Sequence, residues 1–593
     1  MKNYTVKKEI PEKASKKLAK YLSAIAGTAQ AGPEILRKLL FYRGIKTEKE
    51  AEAFLNPIFE DNYDPFLMKD MDIAVERILS AVEKNEKIII YSDYDADGIP
   101  GAVILHDLFK KIGFKNFENY IPHRVLEGFG LNDEAIDEFA KKGVDLIITV
   151  DCGIADVEEA EKIKKHKIDL IITDHHLPRI SKSGKEELPH ALAILNTRQS
   201  KCKYPDKNIC GASVAFKLVQ ALIGKLSTFN FKTFKFELPV PGWGKWLLDM
   251  VAIGTISDMV PLVGENRLLA HYGLKVLRKS RRPGLKSLFS VTKIDQKNIT
   301  EDDIGFMISP RINAASRMGL PEDAFNMLVA ENETDAIKYA FHLNKINDER
   351  KIIVAQMVKE IRKHWEKFDP EKKRKVLVAG NPDWKPSLLG LVANSLMDEH
   401  EGPVFLWGRE EGKTLKGSCR SDGCVDIVAM MRESGNLLEE YGGHSASGGF
   451  SISLEKVDLL ADGLEVAYQK LSVVGEEKEL IADAEIKIDD VNHDLEKQVS
   501  LLSPFGMENP KPLFALHNIE IDDVKIFGKK NDHLKINFKN SKEKIISAIG
   551  FFMKPDDFSV KIEKGEKINL LANLEKSNFL GREEIRLRIV DIL

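Results

Sequence analysis

Residues 87–98, KIIIYSDYDADG, set three aspartates at alternate positions before a glycine, directly behind a short apolar run. Asp93, Asp95, Asp97 and Gly98 match the opening of a calcium EF-hand loop, D-x-[DN]-x-[DN]-G. That loop needs a bidentate carboxylate at its last position, and here Ile104 stands there with no oxygen to give. An EF-hand loop also follows a helix, whereas Ile88, Ile89 and Ile90 are β-branched and consecutive, as in a buried strand. A strand delivers these acids, which read instead as a catalytic metal cluster.

The same rhythm continues downstream. Val144 to Val150 runs into Asp151, and Ile168 to Thr173 runs into Asp174, His175 and His176. Helical patterns over 101–111, 132–142 and 156–166 are long enough to be right-handed crossovers between parallel strands. In an open parallel sheet, ligands sit outside the carboxyl ends of the strands. One strand-end aspartate is more often a solvated residue or a helix cap. Three successive strands ending in acid, one followed by two histidines, form a ligand set for two divalent cations. Asp258, after a helical pattern over 247–256, is a fourth acid that alone would read as a turn residue.

Length, 593 residues, allows three or four domains at roughly 150 residues each. Hydrophobic residues at 43% and charged residues at 30% describe a globular chain and argue against extensive disorder. A net charge of -4 carries no global basic signal, so nucleic-acid contacts must come from local patches. The charged amino terminus lacks a secretory pattern, and no apolar run approaches the roughly 20 residues that span a bilayer. A cytoplasmic protein is expected. Five cysteines without C-x-x-C spacing read as reduced structural thiols.

Residues 227–246, rich in aromatics and proline, read as an insertion with no assigned function. Over 331–368, Ala336, Tyr339, Ala340, Leu343 and Ile346 fall at helical spacing and predict a long connector helix. The basic run Lys372, Lys373, Arg374 and Lys375, by itself a solvated face, leads into a strand at 376–379 that opens a second α/β domain reaching about 473. Beyond it, short alternating segments at 519–526, 534–538, 545–550 and 585–590 predict an all-β barrel.

DYDADG, VDCG, DHH and GTISDMVPL, in this order, resemble the metal-site motifs of the DHH phosphoesterase superfamily. RGIKTEKEAEAFLNP, IPHRVLEGFGL, SPRINAASRMG, KGSCRS, YGGHSASGGF, LLSPFGMENPKPLF and LRIVDIL narrow the resemblance to the RecJ exonucleases, over almost the whole chain. The resemblance implies an α/β multidomain protein: an N-terminal helical segment (1–70), a parallel-sheet DHH domain (71–275), a helical region with the connector (276–368), a smaller α/β DHHA1 domain (369–473) and a C-terminal OB-fold barrel (474–593). It implies a 5′→3′ exonuclease specific for single-stranded DNA that releases 5′ mononucleotides in DNA repair and recombination. Its partners would be single-stranded DNA, a single-strand-binding protein and a helicase; the protein would be a monomer with no membrane.

Carried residue by residue, Asp93, Asp95 and Asp151 would hold one cation, and Asp97, Asp151, His175 and Asp258 the other, with His176 facing the reacting phosphate. Many DHH enzymes have histidine where Asp93 stands. Arg124, Ser418 and Arg420 would bind the 5′ terminal phosphate, while Arg311, Asn313, Arg317 and His444 would meet phosphates nearer the scissile bond. A phosphodiester is anionic with a poor leaving group, and two cations answer both problems by acidifying water and neutralising nonbridging oxygens. Carboxylates with one imidazole and no sulfur suit manganese or magnesium. Two other readings remain: a hydrolase of short oligoribonucleotides or cyclic dinucleotides, against which the barrel-like tail argues, and an inactive DNA-binding scaffold, which would have no use for so many gathered carboxylates.

Overall fold

The isoleucines behind the first acid cluster form strand β1 (Ile88–Ser92), every residue of which is buried. The computed structural model describes residues 4–12, 16–18, 22, 32–181, 183–235, 238–365, 374–409, 414–471, 480–528, 531–579 and 582–593. Strand β1 pairs in parallel with β2 (Phe117–Tyr120) on one side and β3 (Leu146–Val150) on the other. Beyond β3 lie β4 (Asp169–Thr173) and β5 (Ala193–Leu195), also parallel, giving the order β2-β1-β3-β4-β5. Runs such as Ile88–Ile90 and Leu146–Ile148 are apolar throughout because helices cover both faces of the sheet. Helices α1 (Gly98–Lys111), α2 (Asp133–Lys141) and α3 (Val157–Lys165) supply crossovers, and α4 (Gly211–Leu226) and α5 (Leu248–Ser257) pack against α1. Ile104 is fully buried within α1, where no loop ligand can stand. In this strand order the chain reverses direction across the sheet between β1 and β3, and the crevice at that switch is where ligands bind. Asp93 and Asp151 follow those two strands.

After α6 (Ser309–Met318) the chain enters α7 (Glu333–Trp365), the expected connector helix; Lys372 and Lys373 of the basic run lie outside the described residues. Strand β6 (Leu377–Gly380), helix α8 (Pro386–His400) and strands β7 (Val404–Arg409), β8 (Thr414–Arg420), β9 (Glu440–His444) and β10 (Ser447–Ser453) form a mixed sheet ordered β9-β10-β8-β7-β6. Met357, Val358 and Ile361 of α7 share a core with Leu388, Leu389 and Val392 of α8, which fixes this sheet to the connector. The 227–246 insertion is pinned at its start: the Glu83 carboxylate accepts from the backbone of Lys232, Thr233 and Phe234, while Phe236 and Glu237 lie outside the described residues.

Contacts divide the chain into two compact units. The elements above belong to one, Tyr63–Asp258 with Tyr272–Glu476. The other joins Met1–Asn62, Met259–His271 and Glu477–Leu593. In it, β11 (Leu513–Phe527), β12 (His533–Lys539), β13 (Ile545–Phe551), β14 (Lys567–Phe579) and β15 (Arg582–Ile592) close into a barrel, β11 pairing with both β12 and β14. Leu36, Leu39 and Leu40 near the amino terminus are buried in the same core as Ile486, Leu495 and Phe514. All five cysteines are free, four of them buried. Among the described residues no helix is long and apolar enough to cross a membrane.

Candidate metal centre and phosphate cleft

Asp93 follows β1, and the next turn places Asp95 and Asp97 at the start of α1. Asp95 Oδ1 accepts from Asp97 N at 2.7 Å and Gly98 N at 3.1 Å, capping that helix. Both Asp97 oxygens are held by the amino terminus of α4: Gly211 N donates to Oδ2 at 2.6 Å and Ala212 N to Oδ1 at 2.9 Å, a favourable place for an anion. The backbone passes so close that a Cβ at Gly211 would lie 2.6 Å from the Asp151 side chain, and one at Gly254 would overlap Asp97 Oδ1. Asp151 itself has φ 64°, the left-handed region, and its N–H donates to Thr173 O at 2.8 Å. Such backbone costs about 1–3 kcal/mol, comparable to what burying one isoleucine of β3 contributes, about 1.5–3 kcal/mol. The strand therefore carries the strained aspartate.

Three ligand sets converge, each with donor atoms within 4.8 Å of one another: Asp93, Asp95 and Asp151; Asp97, His175 and Asp258; and Asp151, His175 and His176. His175 Nε2 lies 3.1 Å from Asp151 Oδ1 and 3.8 Å from Asp97 Oδ2, and its Nδ1 lies 3.7 Å from Asp258 Oδ2. Despite these distances, both His175 ring nitrogens, Asp93 Oδ1 and Asp151 Oδ1 are buried without a hydrogen bond. Two carboxylates at such spacing repel by about 3–4 kcal/mol at an effective dielectric constant of 20. Burial and this mutual repulsion raise Asp97 to about 6 and Asp258 to about 8, and push Asp93 and Asp151 well above the usual carboxylate range. Burial, helped by the charge on His176, lowers His175 to about 4, leaving a neutral imidazole. Orphaned buried oxygens beside a neutral imidazole are what divalent cations need, and the all-oxygen and nitrogen donor set fits manganese or magnesium.

Asp174 does something the sequence did not announce. Its carboxylate accepts from the backbone of Ile154, His175 and His176 and from His176 Nδ1, the last at 2.8 Å. Burial works against a charge on His176, but the bond to Asp174 lifts it to about 9. Among the described residues its Nε2 has no partner, so it is free to donate. A carboxylate two residues before a histidine is the available signal, since such outer partners set the tautomer and orientation of site imidazoles.

Beside the acids runs a cleft of about 580 Å³ lined by Arg124, Phe129, Ser387, Lys416, Ser418 and Tyr441 among others, with a second cavity of about 880 Å³ sharing Ser387 and Lys416 and adding Arg317, Lys385 and Arg409. Arg124 lies over the Tyr94 ring, 4.7 Å from its centroid, and has no carboxylate partner among the described residues. Arg317 donates to Ser387 O at 2.8 Å while Ser387 Oγ donates back to Arg317 O at 2.9 Å, joining α6 to α8. Burial and the charges of Arg124, Arg350 and Arg420 lower Arg317 to about 9. Arg420 donates to Ser418 Oγ at 3.1 Å, and a Cβ at Gly390 of α8 would meet its guanidinium at 2.7 Å. Basic side chains without counter-charges in a cleft form an anion site.

Three expected phosphate contacts have other partners or lie outside the cleft lining. The Arg311 guanidinium is taken up by Asn344 Oδ1 at 3.0 Å and Met307 O at 2.6 Å, so it braces α6 against α7. Asn313 Oδ1 accepts from Ala96 N at 2.9 Å and thereby fixes the acid turn. His444 stands exposed at the end of β9, outside the lining of the cleft. Arg198 and Lys385 belong to no motif of the sequence; Arg198 follows a strand only three residues long, too short for a periodic pattern.

Residues 87–255 match the DHH family, N-terminal domain, residues 373–470 the DHHA1 domain and residues 482–591 the RecJ OB domain. The chain is 35% identical over 564 residues to the single-stranded-DNA-specific exonuclease RecJ of Bacillus subtilis, covering 94% of this chain and 67% of that one. It is 29% identical over 589 residues to the RecJ of Haemophilus influenzae, covering 97% and 98%. A crystal structure of exonuclease RecJ bound to manganese is 30% identical with a TM-score of 0.57, over 68% of this chain and 95% of that one. RecJ of Thermus thermophilus in complex with Mn2+ shares the fold, with a TM-score of 0.79 at 24% identity over 100% of this chain and 79% of that one.

Proposed function

The chain belongs to the RecJ family of single-stranded-DNA-specific exonucleases, and from that premise we propose that it degrades single-stranded DNA from the 5′ end, releasing 5′ mononucleotides in repair and recombination. The observation that carries the reading is the burial of Asp93, Asp97, Asp151 and His175 in one cluster, in which Asp93 Oδ1, Asp151 Oδ1 and both His175 ring nitrogens lack a hydrogen bond. Two divalent cations, when bound, supply Lewis acidity to the scissile phosphate and acidify water at neutral pH. Asp93, Asp95 and Asp151 would hold one, and Asp97, Asp151, His175 and Asp258 the other. Asp174 holds His176 protonated and oriented, so that Nε2 donates a hydrogen bond to a phosphate oxygen.

Arg124, Ser418 and Arg420 bind the terminal 5′ phosphate, where the planar guanidinium matches phosphate bidentately. That contact sets polarity, because only one chain end carries a phosphomonoester. In the barrel, Phe552 is exposed and the Arg588 guanidinium lies 3.8 Å from the Phe551 ring centroid, a platform on which unpaired bases stack. The enzyme would act as a cytoplasmic monomer on strands opened by a helicase and coated by single-strand-binding protein. The test is an end-labelled, 5′-phosphorylated oligonucleotide incubated with protein and manganese. Mononucleotides should appear from the 5′ end, none with chelator present; shortening from the 3′ end alone would sink the polarity.

A further inference from the structure

The pairing of β5 with β4 sets Leu195 opposite Thr173, so the Asn196–Thr197–Arg198 turn emerges beside Asp174, His175 and His176. Two hydrogen bonds fix it there. Asn196 Nδ2 donates to His176 O at 2.9 Å, and Arg198 N donates to Asn196 Oδ1 at 2.7 Å. The guanidinium of Arg198 finds no such partner: its Nε is buried without a hydrogen bond, and among the described residues no carboxylate pairs with it. A buried, unsatisfied cationic donor is costly unless something outside the chain takes its hydrogen bonds.

Its place within the centre says what that is. Arg198 acts electrostatically on His175 and Asp258, whereas Arg124 acts on Asp93, and Asp95 acts on Arg317. The Arg198 turn is tied to the backbone of His176, after β4, whereas Arg124 lies over the Tyr94 ring next to Asp93, after β1, so the two guanidiniums belong to different parts of the centre. Under the proposed function, on which this step rests, the Arg124 end takes the terminal phosphate and the acids take the scissile phosphodiester. A strand presents one more charge close by, the phosphodiester on the 3′ side of the scissile bond. We infer that Arg198 binds this third phosphate and so holds the strand that remains after each cleavage.

Substrate length isolates the contact. A 5′-phosphorylated dinucleotide has the terminal and scissile phosphates but not the third, whereas a 5′-phosphorylated trinucleotide has all three. The full-length protein and its Arg198→Ala variant are compared with manganese on both, by kcat/KM. Wild type should favour the trinucleotide, and Arg198→Ala should reduce that preference about tenfold or more, with Arg198→Lys recovering part of it. An equal loss on both substrates, no loss, or a wild type without the preference overturns the inference. Should the alanine variant melt early, Arg198→Gln, which keeps most of the volume, carries the same comparison. A wild type that cleaves neither these substrates nor longer 5′-phosphorylated strands brings down the proposed function itself, a separate result.

Discussion

The acid cluster and the guanidinium cluster are built from the same kind of problem with opposite signs. Each gathers buried or half-buried like charges that the chain does not neutralise: Asp93, Asp97, Asp151 and Asp258 in one, Arg124, Arg317, Arg350 and Arg420 in the other. They differ in what holds them. The acids stand on strand ends and helix ends, Asp258 closing α5, and backbone N–H groups fix Asp95, Asp97 and Asp174. The arginines come from one loop (Arg124), two helices (Arg317 of α6, Arg350 of α7) and one strand (Arg420 of β8) that meet only after the chain has passed through α7, and Arg317 is held by the Ser387 carbonyl. A site for a small cation is thus rigid and local, while a site for a long polyanion is assembled across elements.

Asp151→Ala tests the sharper half. It should lower kcat/KM on 5′-phosphorylated single-stranded DNA by about 1,000-fold or more while circular dichroism stays that of the wild type. The metal-free variant should melt at a higher temperature, because one repelling carboxylate has gone. Arg420→Ala tests the other half: discrimination between 5′-phosphorylated and 5′-hydroxyl strands should fall by about 10- to 100-fold. Equal losses on the two strands would make Arg420 a packing residue and break the contrast. Gly254→Ala pushes a methyl into Asp97 and should weaken manganese binding by about tenfold, read by titration calorimetry. Arg311→Ala should instead cost about 1–3 kcal/mol of stability in a denaturant titration with little change in kcat/KM at low temperature, which separates a brace from a ligand-binding arginine.

The same difference governs how much the sequence disclosed. Strand runs ending in Asp93, Asp151 and Asp174 are local patterns, so the parallel sheet, the acid cluster and even the failure of the calcium reading at Ile104 were legible. The roles of Arg311 and Asn313 were not, because they depend on Asn344 and on Ala96 N, contacts between distant segments. Nor does any pattern near Leu36 and Leu40 announce a core shared with Phe514. β5 and Arg198 leave no signal in the sequence for a simpler reason: a buried strand of three residues has no period to read.

Helix α7 has a mechanical consequence. From Glu333 to Trp365 it contains no glycine or proline, and one end packs on α6 while the other shares a core with α8. At about 1.5 Å per residue it is a rod roughly 50 Å long, and the two jaws of the cleft are mounted on it. Such a rod would act as a caliper, setting the gap once for every nucleotide that passes, so that a substrate would be gauged by its width and no base read.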